Sequence, residues 1–316
     1  MKISVLDKST LGKDIDLSPI TSIGEVSIYD KTLACEVSEH IGESEVIILN
    51  KVKVNEENLS ENKNLKLICI TATGYDNVDI EYCKKRGIAV CNVCGYSTDS
   101  VAQLTVSMVL SLIMHLSSYD SYVKDGRYEK SGVQNYLTPT FHEIKSMTWG
   151  VVGYGNIGKK VAEIAKAFGC NVIFYKKNQT LEKECVDLDT LLKESDIVSV
   201  HIPLSQETKG LLSKEKLSLM KKNAILVNTA RGAVIDEEAV SDKILNNELG
   251  GYATDVYSVE PLEKTSPYNK ILNHENVIFT PHMAWGALEA RQRCIDEISK
   301  NIYAFYEGEK RNRVDL

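Results

Sequence analysis

One stretch restricts the folds open to this chain more than any other: Val151-Val-Gly153-Tyr-Gly155-Asn-Ile-Gly158. An apolar run, Trp149–Gly153, leads into the glycines, and a helix-compatible segment, Ile157–Phe168, follows them. Alone, G-x-G-x-x-G means little; set between a buried strand and a helix, it specifies a nucleotide-binding βα turn. The first glycine allows the bend, the second lets the backbone approach a pyrophosphate, and the third lets helix pack on strand. The helix-start N–H groups, here near Asn156 and Ile157, meet the phosphates with the favourable end of the helix dipole. About 20 residues further on, an acid normally bonds the ribose 2′-hydroxyl. Here the strand Asn171–Tyr175 delivers Lys176-Lys177-Asn178 instead. Two cations in that place remove the repulsion of a 2′-phosphate, so NADP is modestly favoured over NAD as the NAD(P) cofactor.

The rest of the chain alternates in the same manner. Strand-like runs at Lys2–Leu6, Val26–Tyr29, Val46–Leu49, Leu67–Thr71 and Ala89–Cys91 are separated by enough chain for helical crossovers. A long amphipathic helix is expected from Thr98 to Lys124. After Trp149–Gly153 and Asn171–Tyr175, further strands are expected at Ile197–His201, Ala224–Asn228 and Val277–Thr280, with a closing helix over Ala287–Tyr306. Two such series predict an α/β protein with two doubly wound parallel-sheet domains.

Composition narrows the function classes. The balance of 37 basic against 44 acidic residues has no basic surplus, which argues against a nucleic-acid partner. The longest apolar stretch, Val106–Met114, is too short for a bilayer, so no membrane partner is expected. Met1-Lys2-Ile3 opens directly into a strand-like run ended by Asp7, without a signal-peptide apolar region; a cytoplasmic location is expected. Eight cysteines in such a chain read as reduced thiols. The Cys91-Asn-Val-Cys94 pair has no second pair or nearby histidine, so it reads as structural and no metal site is predicted.

Three residues stand at carboxyl ends of expected strands, where ligands bind in open α/β sheets. Arg231 follows Ala224–Ala230, Glu260 lies in a loop before Pro261, and His282 follows Phe279-Thr-Pro281. Reduction of a 2-oxo acid needs a cationic fork for the substrate carboxylate, which arginine provides bidentately. It also needs an acid for the carbonyl oxygen, which histidine suits near neutral pH, and a carboxylate beside that histidine orients it and favours its protonated form. Arg231, His282 and Glu260 fill these catalytic roles without a metal.

With these residues in hand, the chain resembles the D-isomer-specific 2-hydroxyacid dehydrogenase family along nearly its whole length. The matching segments are Gly153–Gly158, Ser195–Pro203 with Thr208, Asn228–Asp236, Asp255–Pro261, Pro281-His282 and, near the start, Gly74–Asp79. The resemblance implies a Rossmann-type nucleotide domain, 99–285, inserted in a flavodoxin-like substrate domain, 1–98 and 286–316. Hinges would fall near Ser97–Ser100 and Trp285–Gly286. It implies Arg231 as substrate anchor, His282 as proton donor and Glu260 as its partner. It adds cofactor contacts from His201, Pro203, Thr208, Thr229, Ala230 and Asp255, and substrate contacts from Thr73 and Gly74. Trp285, three residues after His282, either lines the substrate pocket and favours small substrates or packs at the hinge. A homodimer paired through the nucleotide domains is also implied. Gly95–Gln103 and Pro281–Arg291 look most like glycerate dehydrogenases, also called hydroxypyruvate reductases. The expected substrates are therefore glycerate and hydroxypyruvate, or glyoxylate. D-lactate-type and phosphoglycerate-type activities are the alternatives; Ile70–Tyr75 offers no cation for a phosphate tail. A corepressor-like nucleotide sensor of the same fold is the remaining alternative, and it would not need the Arg231, Glu260 and His282 set.

Overall fold

A computed structural model describes residues 1–178 and 181–316. The chain divides into two compact units, Met1–Ser97 together with Trp285–Leu316, and Thr98–Ala284.

In the first unit β1 (Lys2–Val5), β2 (Glu25–Ile28), β3 (Val46–Leu49), β4 (Leu67–Ile70) and β5 (Ala89–Cys91) form one sheet in the order β2-β1-β3-β4-β5. Every pairing is parallel, and this is the flavodoxin-like order. The central strands β3 and β4 are buried along their whole length, as parallel strands covered on both faces must be. Helix Leu288–Tyr306 covers one face through Ala290, Cys294, Ile295, Ile298 and Ile302. The chain beyond that helix returns to β5. Arg313 bridges Cys91 in antiparallel fashion, the Val314 N–H reaches the Val90 carbonyl at 2.9 Å, and Asp315 accepts the Val90 N–H at 2.8 Å.

In the second unit β6 (Thr148–Val152), β7 (Asn171–Tyr175), β8 (Ile197–Val200), β9 (Ile225–Asn228), β10 (Gly251–Thr254) and β11 (Val277–Phe279) order as β11-β10-β9-β8-β6-β7, all parallel. The direction of winding reverses at β6, which lies between β7 and β8. That switch point is where a doubly wound sheet leaves a crevice for a ligand.

Two elements differ from the sequence expectation. Strand β10, implied before Asp255 but given no bounds from the sequence, covers Gly251–Thr254, and the helix expected over Thr98–Lys124 is two helices, Thr98–Ile113 and Leu116–Lys124, meeting at a 63° bend. His115 at the break has φ 48°, a left-handed conformation in which a helix cannot continue.

Candidate active site

The glycine turn is built as its context demands. Helix Asn156–Ala167 begins at once after Gly155. Gly153 has φ +100°, and a Cβ there would stand 2.6 Å from Ile202 Cγ2 and 2.8 Å from the His201 carbonyl carbon. Only glycine fits both the angle and the space. A Cβ on Gly158 would strike the Gly153 carbonyl oxygen, whereas at Gly155 the corresponding space is open. The turn thus leaves an uncovered cradle at the start of a three-turn helix, which fits a dinucleotide pyrophosphate. The Gly153 N–H donates to the Tyr175 carbonyl at 2.9 Å, tying the turn to the end of β7 directly before Lys176.

His201 follows β8 beside this turn. Its N–H donates to the Val152 carbonyl at 2.7 Å, and both ring nitrogens are covered without a partner among the described residues. Burial lowers its pKa to about 3. The folded protein therefore holds His201 neutral at pH values where the unfolded chain, with an ordinary value near 6.5, already binds a proton. Stability is expected to be complete above about pH 6.5 and to fall towards pH 3, by about 1.4 kcal/mol per pH unit for this one group. Thermal melts at pH 7 and pH 5 check this. A His201→Leu variant that lost as much stability as wild type over that interval would show the effect lies elsewhere. Pro203 is exposed, and its carbonyl accepts the Thr208 hydroxyl at 2.7 Å.

Lys176 and Lys177 stand where the sequence puts them, but each faces an acid. Lys177 Nζ lies 2.5 Å from Glu207 and Lys176 Nζ lies 4.0 Å from Glu182. Lys176 also sits 5.9 Å over the Phe174 ring, which stacks on Tyr154 of the glycine turn at 3.7 Å.

The candidate catalytic groups all belong to the second unit. Asn228, fully buried at the end of β9, accepts the Ala230 N–H and donates its amide to the Arg231 carbonyl, both at 3.0 Å. This fixes the Thr229–Arg231 turn and leaves Arg231 half-buried. Gly232 packs the turn flush against the next loop, because a Cβ there would collide with the Tyr257–Ser258 backbone. Neither Asn228 nor Gly232 was singled out from the sequence, although both stand inside the Asn228–Asp236 segment.

In that next loop the Tyr257 N–H donates to Glu260 Oε1 at 3.1 Å, and Glu260 Oε2 lies 2.6 Å from His282 Nδ1. His282 has φ 52°, a conformation that persists only when neighbours impose it. Asp255, fully buried, imposes it. Its carboxylate accepts the Thr280 hydroxyl at 2.5 Å and the N–H groups of Met283 and Ala284 at 2.8 Å each. Burial, followed by the charges of Asp255 and Glu260, pushes the Tyr257 hydroxyl up to about 12. It therefore stays protonated and donates to the Thr280 carbonyl at 2.9 Å.

The remaining sequence-derived residues belong to the first unit. Thr73 bonds the Val93 carbonyl at 2.9 Å and its own carbonyl accepts from Asn92 at 2.7 Å, with Gly74 next in the loop. Trp285 packs against that unit's core. Cys91 is buried and its thiol reaches the Arg311 carbonyl, while Cys94 is exposed.

Comparison with known proteins bears directly on this arrangement. Residues 106–284 match the NAD binding domain of D-isomer specific 2-hydroxyacid dehydrogenases. A hydroxypyruvate reductase of Blautia hydrogenotrophica is 33% identical over 324 residues, covering 100% of both chains. The chain belongs to the D-isomer specific 2-hydroxyacid dehydrogenase family. A glyoxylate reductase of Thermococcus litoralis is 38% identical over 265 residues, 81% of this chain and 78% of its own. Among solved structures, an acyclic imino acid reductase in complex with NADPH and D-Arg superposes with TM-score 0.88 at 30% identity, covering 99% of this chain and 100% of that one. A D-lactate dehydrogenase from Aquifex aeolicus complexed with NAD and lactic acid gives TM-score 0.84 at 31% identity, covering 100% and 99%. As a member of this family, the chain is a nicotinamide-dependent oxidoreductase of the D-2-hydroxy acid class, with two parallel-sheet α/β domains.

Proposed function

We propose that this dehydrogenase reduces a small 2-oxo acid, hydroxypyruvate or glyoxylate, to the D-2-hydroxy acid, with NADPH modestly preferred over NADH. The observation that carries the reading is the His282–Glu260 pair at 2.6 Å, held in the same unit as Arg231 and the glycine turn. The relatives' names support the substrate class.

In this reading the reduced nicotinamide, when bound, supplies the hydride. Gly153, Gly155, Asn156, Ile157 and Gly158 hold the pyrophosphate, and Lys176 and Lys177 lie towards a 2′-phosphate. His201, Pro203, Thr208, Thr229, Ala230 and Asp255 line the remaining cofactor groove. Arg231 holds the substrate carboxylate through its fork. With Nδ1 turned to Glu260, His282 gives its proton from Nε2 to the carbonyl oxygen as it gains charge. Glu260 keeps the ring in that orientation and balances the imidazolium. The Tyr257 N–H holds Glu260, and its hydroxyl reaches the Thr280 carbonyl, which also accepts the His282 N–H at 3.1 Å.

Loss of reduced-nicotinamide absorbance, measured across a panel of 2-oxo acids with NADPH and NADH, tests the proposal. Hydroxypyruvate or glyoxylate should give the highest kcat/KM; faster turnover of pyruvate or 3-phosphohydroxypyruvate would overturn the substrate choice. Glu260→Gln keeps a hydrogen-bonding group but loses the charge that balances the imidazolium, so kcat should fall with KM little changed. An unchanged kcat would remove Glu260 from its role. The same reading makes the protein a cytoplasmic homodimer paired through the second unit. Apolar side chains exposed along that unit, Leu116, Val123, Val133 and Leu137, support the pairing, and eight unpaired thiols support a reducing compartment. Light scattering on the purified protein checks the dimer.

A further inference from the structure

The missing acid after β7 has a counterpart elsewhere in the second unit. Strand β6 lies between β7 and β8, so the segments leaving β7 and β8 flank the glycine turn that leaves β6. Lys177, just past β7, and Glu207, past β8, meet at 2.5 Å. The ion pair therefore spans the carboxyl end of β6, above the crevice where a nucleotide's adenosine half would lie.

Glu207 stands on a fixed turn. The Thr208 hydroxyl accepts the Ser205 N–H and donates to the Pro203 carbonyl, each at 2.7 Å, and the Lys209 N–H reaches the Ser205 carbonyl at 2.9 Å. On the other side, the Tyr175 carbonyl is held by the Gly153 N–H, so the segment bearing Lys177 is anchored too.

We propose that Glu207 takes the part of the absent acid and sets the discrimination between NAD and NADP. Its carboxylate offsets Lys177, offers an acceptor to a ribose 2′-hydroxyl, and repels a 2′-phosphate. A 2′-phosphate has to displace Glu207 from Lys177 before that lysine can bind it, which leaves Lys176 as the cation it meets first. The modest NADP preference is then the difference between two lysines and the carboxylates set against them, Glu207 at 2.5 Å from Lys177 and Glu182 at 4.0 Å from Lys176. This inference rests on the nucleotide reading of the glycine turn given above.

Calorimetric titration of the full-length protein with 2′,5′-ADP and 5′-AMP separates the two layers of argument. In Glu207→Gln, 2′,5′-ADP should bind about three- to tenfold more tightly at low salt and 5′-AMP no more tightly than in wild type; the gain should shrink as salt shortens the screening length. A thermal melt matching wild type establishes that the variant is folded. If wild type binds both probes and Lys176→Asp shifts their affinity ratio while Glu207→Gln moves it less than twofold, the assignment of Glu207 is wrong and the nucleotide reading stands. If wild type binds neither probe, the nucleotide reading fails and takes this inference with it. A wild type that favours 5′-AMP overturns the NADP preference alone, provided Glu207→Gln still raises the ratio.

Discussion

Replacing His282 by asparagine is expected to lower kcat by roughly 10²–10⁴-fold, the usual contribution of a positioned general acid. Asparagine is the informative substitution because residue 282 has φ 52°. Asparagine tolerates that left-handed conformation, whereas alanine would add strain and disturb the turn. The clamp that Asp255 places on Met283 and Ala284 does not involve the imidazole, so the backbone should stay as it is. Nucleotide affinity, read by quenching of tryptophan fluorescence, should then be close to wild type while turnover collapses. A kcat within tenfold of wild type would mean that the proton comes from another group.

Arg231→Ala should fail differently. A guanidinium holding a carboxylate makes two charge-assisted hydrogen bonds in the ground state and in the transition state alike. Losing both is expected to cost about 3–4 kcal/mol, or roughly 10²–10³-fold in kcat/KM, with a large part appearing as a raised KM. Arg231→Lys should recover little, since an ammonium is a point charge without the planar fork. Steady-state kinetics with the 2-oxo acid varied at saturating reduced cofactor separates the outcomes. A loss confined to kcat with KM unchanged would assign Arg231 to the chemical step rather than to anchoring.

Much of this architecture was legible because its signals are local. The glycine turn needs a positive φ at Gly153 and an approach too close for a Cβ at Gly158, and both demands surface directly as glycine. The bounds of strand β10 escaped for the converse reason. Gly251-Tyr-Ala-Thr254 mixes two strand-favouring residues, Tyr252 and Thr254, with two poor ones in a run of only four, and it is a strand because β9 and β11 pair with it on both sides. The break at His115 was hidden by an apolar pattern that suits both helices it separates. At the site, Arg231, Glu260 and His282 could be found as residue types after strands. The devices that hold them could not, because they are pairings between distant positions. Asp255 reaches 28 and 29 residues ahead to Met283 and Ala284, and Lys177 reaches 30 residues to Glu207. Lys176 and Lys177 alone suggest an open cationic site, and only the folded chain places carboxylates against them.

The first unit is assembled from both ends of the sequence, with Trp285–Leu316 following all of Thr98–Ala284. A ribosome adds roughly 5–20 residues per second, so the nascent chain carries a complete second unit for some time before the first can close. During that interval β5 has an unpaired edge, and the apolar face later covered by Leu288–Tyr306 is bare. Open strand edges and bare apolar faces are what other chains aggregate on. The half-made first unit is thus the vulnerable state in biosynthesis, until the Arg313 bridge to Cys91 and the Asp315 side-chain bond to the Val90 N–H cover the β5 edge.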